Sequence, residues 1–177
     1  GLSHTRIDPT QPETWDAALT DKTRLFYVES VSNPLLGLTD LPGVLDFARR
    51  HNLITVVDTT FLSPITLRPA PHGPDLVVHS ATESLDGHSD LCAGTVAGSF
   101  KRVEAARQLL NRLGGTLDPH AAFLLERGIK TLGLRVRRQN QTALALAQFM
   151  ADHPAVRALH HPALGANLHS PTRQWIH

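Results

Sequence analysis

The amino-acid sequence predicts an α/β fold in which a mostly parallel sheet is flanked by helices. Short apolar runs recur at 24–28, 53–57 and 75–78, which is the pattern of buried strands, and the run at 53–57 is rich in β-branched residues. An amphipathic helical segment lies between the first two runs. Strand, helix and strand within about thirty residues form a βαβ unit, so these two strands are expected to be parallel.

In the first half of the chain, residues 1–12 predict an extended lead-in and Glu13–Leu19 a short helix. A second helix is expected to begin at a cap on Thr39 or Asp40 and to run to about His51. Its apolar residues fit one buried face; they are Leu41, Val44, Leu45, Phe47 and Ala48. Phe61–Pro74, which contains several prolines, predicts a loop.

The second half begins with a fourth strand, predicted over Leu91–Gly98, and continues with helices. The first covers Lys101–Leu113, with the inward residues Val103, Ala106, Leu109, Leu110 and Leu113. Asp118-Pro119 begins another helix, Gly128 is the candidate break, and a long amphipathic helix follows to about Asp152. A last short strand is predicted over Val156–Leu159, and the chain after Pro162 is expected to be loosely organised.

Composition narrows the class of protein. The 177 residues are enough for one domain with a sizeable core, and the net charge of +1 does not favour nucleic acid or an anionic membrane as partners. The lone Cys92 excludes an internal disulfide framework and suits a reducing cytoplasm. No apolar run approaches the length of a membrane span. The sequence therefore predicts a cytoplasmic globular protein.

Polar residues follow each of the three predicted strands. The first strand leads into Glu29-Ser-Val-Ser-Asn33-Pro, the second ends on Asp58, and the third leads into Ser80-Ala-Thr82-Glu83. The carboxyl ends of strands are where open α/β sheets place ligands. Hydroxyls and free N–H groups beyond a strand end suit a bound phosphate, although a plain Ser/Thr-rich turn explains the same composition.

Three segments carry a resemblance to a known family. They are Glu29–Pro34, then Val57–Phe61, and then Ser80–Glu83 with Gly87–Asp90. In this order and spacing they resemble the pyridoxal-phosphate (PLP) enzymes of sulfur amino acid metabolism: cystathionine γ-synthase, cystathionine γ-lyase, methionine γ-lyase and the O-acylhomoserine sulfhydrylases. Asp118–Arg135 is similar to the next family segment. The resemblance implies the large domain of the aspartate-aminotransferase-like (type I) PLP fold.

The resemblance also implies cofactor contacts. Asp58 matches the position that pairs with the pyridine nitrogen of PLP, and Ser80 and Thr82 match phosphate ligands. Asn33 matches the residue near the phenolic oxygen, with an ordinary Asn-Pro turn as the alternative, and Thr60 is expected to pack beside the ring. Glu29 is a weaker supporting residue. Thr59 and Val31 stand where the family usually has Asn and Pro.

One departure affects the chemistry directly. The Schiff-base lysine of the family follows the Thr of Ser-Ala-Thr, and here that position is Glu83. A carboxylate forms no imine, so the resemblance implies a PLP enzyme acting by γ-elimination or γ-replacement on a small amino-acid substrate, with impaired turnover. The alternative is a non-catalytic homologue, a pseudoenzyme that acts as a binding or assembly subunit. The observation expected to discriminate between them is whether the parent gene encodes a lysine at position 83 and continues on both sides.

The resemblance gives expectations for organisation too. Residues 1–150 are assigned to the PLP-binding large domain and 151–177 to the start of a truncated C-terminal domain, because family members are more than twice as long. A homo-oligomer, dimer or tetramer, is expected. None of the eleven histidines shows metal-ligand spacing. Arg135, Arg137 and Arg138 are interpreted as a solvated helix face.

Overall fold

The computed structural model describes the backbone of residues 1–177 and the side chains of all of them except residue 166. Four strands and five α-helices are present in this described chain. The strands are β1 (Leu25–Glu29), β2 (Ile54–Asp58), β3 (Leu76–Ser80) and β4 (Gly94–Gly98). The helices are α1 (Leu41–Arg50), α2 (Ser63–Thr66), α3 (Phe100–Leu113), α4 (Pro119–Ile129) and α5 (Leu132–Ala151).

The strands form one sheet in the order β1-β2-β3-β4. β1, β2 and β3 are parallel, and β4 runs antiparallel to β3. The register places Glu29 beside Asp58 and Tyr27 beside Val56. The predicted α/β fold with a mostly parallel sheet is confirmed, and the carboxyl ends of the three parallel strands meet at one edge.

One face of the sheet carries the main core. Side chains alternate between the two faces of a strand, so Phe26 and Val28 point to the same side, where Val57 of β2 joins them. Helix α1 covers this face, as its apolar stripe predicts, and Asp40 caps it by accepting a hydrogen bond from the Gly43 N–H.

An aromatic cluster closes this core. Trp15 meets Phe26 and Phe47 edge-on, with ring centroids 5.3 and 5.4 Å apart. Such edge-to-face contacts add to the free energy of apolar burial. Trp15 lies between two 3₁₀ turns, Pro12–Thr14 and Asp16–Ala18, rather than in the single helix predicted over Glu13–Leu19. The indole nitrogen donates to the carbonyl of Asp8, which fixes the ring across the interruption.

The last residues form an ordered strap over the start of α1, which corrects the prediction of a loose end after Pro162. We call Asn167–Ile176 the C-terminal strap. Thr172 is fully buried; its hydroxyl accepts a hydrogen bond from the Leu41 N–H (2.7 Å) and donates to the Thr39 carbonyl (2.5 Å). Backbone partners distant in sequence therefore order this segment, a factor that its composition does not reveal.

The strand predicted over Val156–Leu159 is not formed, because these residues have no neighbouring strand with which to pair. The prediction that Gly128 breaks the helical segment was also wrong. Gly128 lies inside α4, and the break falls after it, between Ile129 and Leu132. The predicted loop Phe61–Pro74 contains the short helix α2 and a 3₁₀ turn at Ala70–His72.

Helix α3 has the predicted bounds within one residue but not the predicted burial. Leu109, Leu110 and Leu113 are 57%, 44% and 76% exposed, so they do not face inward. Periodicity identifies an apolar helix face but not whether another element covers it. Among the described helices, none is both long and apolar enough to cross a membrane.

Candidate functional site

A cleft of about 240 Å³ opens at the carboxyl ends of the parallel strands. Its lining combines three carboxylates, an amide, a hydroxyl and two apolar side chains: Glu29, Val31, Asn33, Asp58, Thr60, Phe61 and Glu83. Four of the six site residues predicted from the sequence, Asn33, Asp58, Thr60 and Glu83, are thus brought together. A polar cleft at this edge is the usual position for a ligand in an open α/β sheet.

Asp58 is the most constrained side chain of the cleft. Its Oδ1 atom accepts hydrogen bonds from the backbone N–H of Thr60 (2.9 Å) and from the Thr60 hydroxyl (2.6 Å). Its Oδ2 atom accepts one from the Tyr27 phenol (2.8 Å). Donors on both oxygens hold the plane of the carboxylate. An oriented carboxylate therefore stands in the cleft.

Thr60 links Asp58 to the next strand. Its hydroxyl donates to Asp58 and accepts a hydrogen bond from the backbone N–H of Ser80 (2.8 Å). The three residues form one hydrogen-bonded chain across the ends of β2 and β3. This network ties the position of the β3 end to the orientation of the carboxylate, a role for Thr60 beyond the predicted packing.

Ser80 and Thr82 do not line this cleft with the other four predicted residues. Both follow the end of β3, and both are half-buried. The Thr82 hydroxyl accepts a long hydrogen bond from the Ala93 N–H (3.4 Å), which is the local capping that the sequence left open as an alternative. Their assignment as phosphate ligands stays a prediction.

His79, on β3, faces away from Asp58 toward Thr59. The Thr59 hydroxyl lies 3.0 Å from its Nε2 atom. Burial lowers the pKa of His79, although its contact with Thr59 and the charge of Asp58 oppose this shift. The net effect favours the neutral form of His79.

The turn that carries Glu83 is held from outside by Arg135 of α5. The guanidinium donates to the carbonyls of Ser84 (2.9 Å), Leu85 (3.2 Å) and Gly128 (2.8 Å). This contradicts the interpretation of Arg135 as part of a solvated helix face. The sequence offers little signal for this arginine, because backbone carbonyls fifty residues away have no residue-type signature.

Close packing completes the support of this turn. A Cβ atom on Gly128 would lie 2.2 Å from the carbonyl oxygen of Asp86, and one on Gly87 would lie 2.0 Å from the Arg135 guanidinium. Gly87 also has a φ of +86°, which favours glycine. Glu83 itself is exposed to the cleft, and its carbonyl accepts from the Gly87 N–H. Position 83 is thus presented on a rigid turn.

Parallel strands, a polar cleft at their carboxyl ends and a held aspartate together define an α/β protein with a strand-end ligand site. A family model described as Cys/Met metabolism PLP-dependent enzyme matches residues 1–173. The chain belongs to this family, and the resemblance stated from its three motifs is confirmed. Pyridoxal phosphate is the cofactor expected for this family.

Individual relatives agree with this assignment. The chain is 43% identical over 168 residues to L-methionine γ-lyase of Pseudomonas putida. This alignment covers 94% of the present chain and 42% of the relative. It is 40% identical over 163 residues to cystathionine γ-lyase of Bacillus subtilis, with coverages of 92% and 43%. The chain therefore spans less than half the length of these relatives.

A solved structure gives the same result for the fold. Cystathionine γ-lyase from Lactobacillus plantarum, complexed with L-serine, has a TM-score of 0.92 at 34% identity. The match covers 97% of this chain and 46% of that chain. The fold is thus that of the type I PLP enzymes, as expected.

Proposed function

We propose that this chain forms the cofactor-binding part of a PLP-dependent enzyme of sulfur amino acid metabolism. The reaction class is γ-elimination or γ-replacement on a small amino acid such as cystathionine, methionine or an O-acylhomoserine. The observation that carries the proposal is the convergence of Asn33, Asp58 and Thr60 in the strand-end cleft. Membership of the family supports the reaction class.

The donor set of the cleft fits the non-covalent contacts of the cofactor. The carboxylate of Asp58, held in orientation by hydrogen bonds to both oxygens, suits a protonated ring nitrogen, and the Asn33 amide suits a phenolic oxygen. The hydroxyls of Ser80 and Thr82 suit the phosphate. When bound, PLP supplies an electron sink to the substrate. Asp58 would hold the proton of the ring nitrogen in place, and Thr60 keeps Asp58 in its orientation.

Glu83 does not fit covalent attachment of the cofactor. A carboxylate carries no amine, and the three lysines, Lys22, Lys101 and Lys130, are not among the residues that line the cleft. Glu83 is able to hold a proton at its carboxyl group but has no nucleophilic nitrogen. We therefore propose that turnover is severely impaired and that the chain binds PLP non-covalently.

The negative charge of the cleft also disfavours binding of the cofactor. Glu29, Asp58 and Glu83 place three carboxylates around one small cavity. Each like charge near a phosphate dianion disfavours its binding, and a lysine at position 83 would change the local charge by two units. Removal of the Glu83 charge is thus expected to strengthen cofactor binding even where no covalent bond forms.

The second candidate function is that of a non-catalytic homologue, a pseudoenzyme acting as a binding or assembly subunit. The observation that favours it is the position of Glu83 in the cleft. Assembly as a dimer or tetramer, a cytoplasmic location and a domain boundary after residue 150 also stand as proposals. Neither a nucleic acid nor a membrane is proposed as a partner.

A PLP titration of the chain beside Glu83→Lys and Glu83→Gln tests the proposal. Visible absorbance reports binding, and intact mass after borohydride reduction reports covalent attachment. We expect a reducible adduct at residue 83 only in Glu83→Lys, and tighter non-covalent binding in Glu83→Gln than in the wild type. Absence of saturable PLP binding in all three chains would refute a cofactor site. Turnover by the wild type equal to that of Glu83→Lys would refute the proposed impairment.

A further inference from the structure

Among the described side chains, Tyr27 is the one outside the family motifs that makes a hydrogen bond to the Asp58 carboxylate. It lies on β1 in register with Val56, and side chains two apart on a strand share a face. Tyr27 and Asp58 therefore form a diagonal cross-strand pair, and the phenol reaches the Oδ2 atom at 2.8 Å. The tyrosine is 52% exposed as a residue, although its hydroxyl is bound to Asp58.

The two oxygens of Asp58 are held from opposite sides. Thr60, on the same segment as Asp58, binds only Oδ1, through its N–H and its hydroxyl. Rotation of the carboxylate away from the cleft would break the bond that Tyr27 makes to Oδ2. Among the described side chains, the phenol thus supplies the one hydrogen bond to the carboxylate that comes from another strand, and it fixes the plane that Thr60 alone leaves free to pivot.

We propose that Tyr27 is a positioning residue for Asp58, setting the orientation in which this carboxylate meets the ring nitrogen of the bound cofactor. This inference rests on the proposed function and deepens it. Among the described side chains, the phenol makes its hydrogen bond to Asp58 and none to Ser80, Thr82 or Glu83. Its direct effect is therefore on the orientation of the Asp58 carboxylate.

Desolvation and the surrounding charges keep the phenol protonated. Desolvation raises the pKa of Tyr27 far above its ordinary value, and the hydrogen bond to Asp58, the Asp58 charge and the Glu29 charge act in the same direction. Glu83 adds a third carboxylate to the cleft, while His79, behind Asp58, is kept neutral by burial. Tyr27 therefore stays an O–H donor throughout the physiological pH range.

The pair is tested first without cofactor. Tyr27 is the only tyrosine of the chain, so growth on 3-fluorotyrosine labels this position alone and gives one ¹⁹F resonance. We expect its ionisation midpoint to lie above that of free 3-fluorotyrosine and to fall by about one pH unit or more in Asp58→Asn. Glu29→Gln removes an equal charge that makes no hydrogen bond to Tyr27, and its shift should be less than half as large. Equal shifts in Asp58→Asn and Glu29→Gln would overturn the proposal. A wild-type midpoint equal to that of free 3-fluorotyrosine would also overturn it, and this measurement does not depend on whether Asp58→Asn folds.

The second part tests the effect on the cofactor contact. In the Glu83→Lys background we expect Tyr27→Phe to weaken PLP binding about three- to tenfold, the loss of one hydrogen bond. Binding of the analogue in which carbon replaces the ring nitrogen should not change, because that analogue makes no bond to Asp58. Equal weakening for both compounds would indicate general damage and overturn the proposal. Absence of PLP binding, together with the raised ¹⁹F midpoint expected for the wild type, would instead refute the proposed function.

Discussion

Replacement of Arg135 by methionine removes the support of the turn that presents Glu83. Arg135 donates to three carbonyls, at 2.9, 3.2 and 2.8 Å, and methionine keeps most of the aliphatic length without the guanidinium. Hydrogen bonds that involve a charged group contribute about 1.5–3 kcal/mol each, and water replaces part of this at a half-buried site. We expect Arg135→Met to lower the free energy of unfolding by about 2–4 kcal/mol.

The control is Arg138→Met on the same helix. Arg138 is exposed, and its substitution should change the free energy of unfolding by less than about 0.5 kcal/mol. Urea denaturation with linear extrapolation measures both variants. Hydrogen exchange at the Gly87 N–H, which is bonded to the Glu83 carbonyl, reports the turn itself and should accelerate only in Arg135→Met. Equal stability of the two variants would refute the claim that Arg135 holds this turn.

Three further substitutions test other contacts by urea denaturation. Gly128→Ala places a Cβ atom 2.2 Å from a backbone carbonyl and should lower the free energy of unfolding by about 2 kcal/mol or more. The control is Gly133→Ala, which should be neutral or stabilising because the nearest atom to its new Cβ is 3.4 Å away. Similar free energies of unfolding for the two variants would refute the packing argument. Thr172→Val leaves two buried backbone groups without their hydrogen-bond partner and should lower the free energy of unfolding by about 2–4 kcal/mol. The control Thr14→Val, at an exposed site, should lower it by less than about 0.5 kcal/mol. A small loss in both variants would show that the C-terminal strap is not docked. Burial alone would raise the pKa of Asp75. Hydrogen bonds from Thr55 and the charge of Arg102 lower this pKa by more than burial raises it, so the net shift is downward. A carboxyl group whose pKa is lower in the folded state stabilises the fold at pH values above its unfolded-state pKa, and this stabilisation is lost as the pH falls. The free energy of unfolding of the wild type should therefore decrease more between about pH 5 and 3 than that of Asp75→Asn. Parallel curves of unfolding free energy against pH would contradict this.

The strands and the first helix were predictable because local patterns decide them. The run Leu53–Val57 is β-branched and apolar, and Asp40 followed by Pro42 marks a helix start in any context. The order of the three parallel strands follows from the handedness and shortness of their connections. The site edge was therefore predictable as well, because Asp58 ends one strand and Asn33 follows the end of another.

The missed features depend on partners distant in sequence. Tyr27 contacts Asp58 only because of the β1–β2 register, and a shift of one residue would point the phenol to the other face. Arg135 and Thr172 bind backbone groups, which carry no residue-type signal. The exposed leucines of α3 show the reverse limit, since an amphipathic pattern does not identify what covers it.

The C-terminal strap has a consequence for the order of folding. The Leu41 N–H, at the start of α1, finds its partner 131 residues later, and Leu38 is bonded to Asn167 across 129 residues. Contacts of such long range form late, because the chain must first close a large loop. During synthesis, the β1-α1-β2 unit emerges long before the strap does. A ribosome-bound chain is thus expected to hold this unit with an unfinished helix start, which becomes fully bonded only after residue 172 has left the exit tunnel.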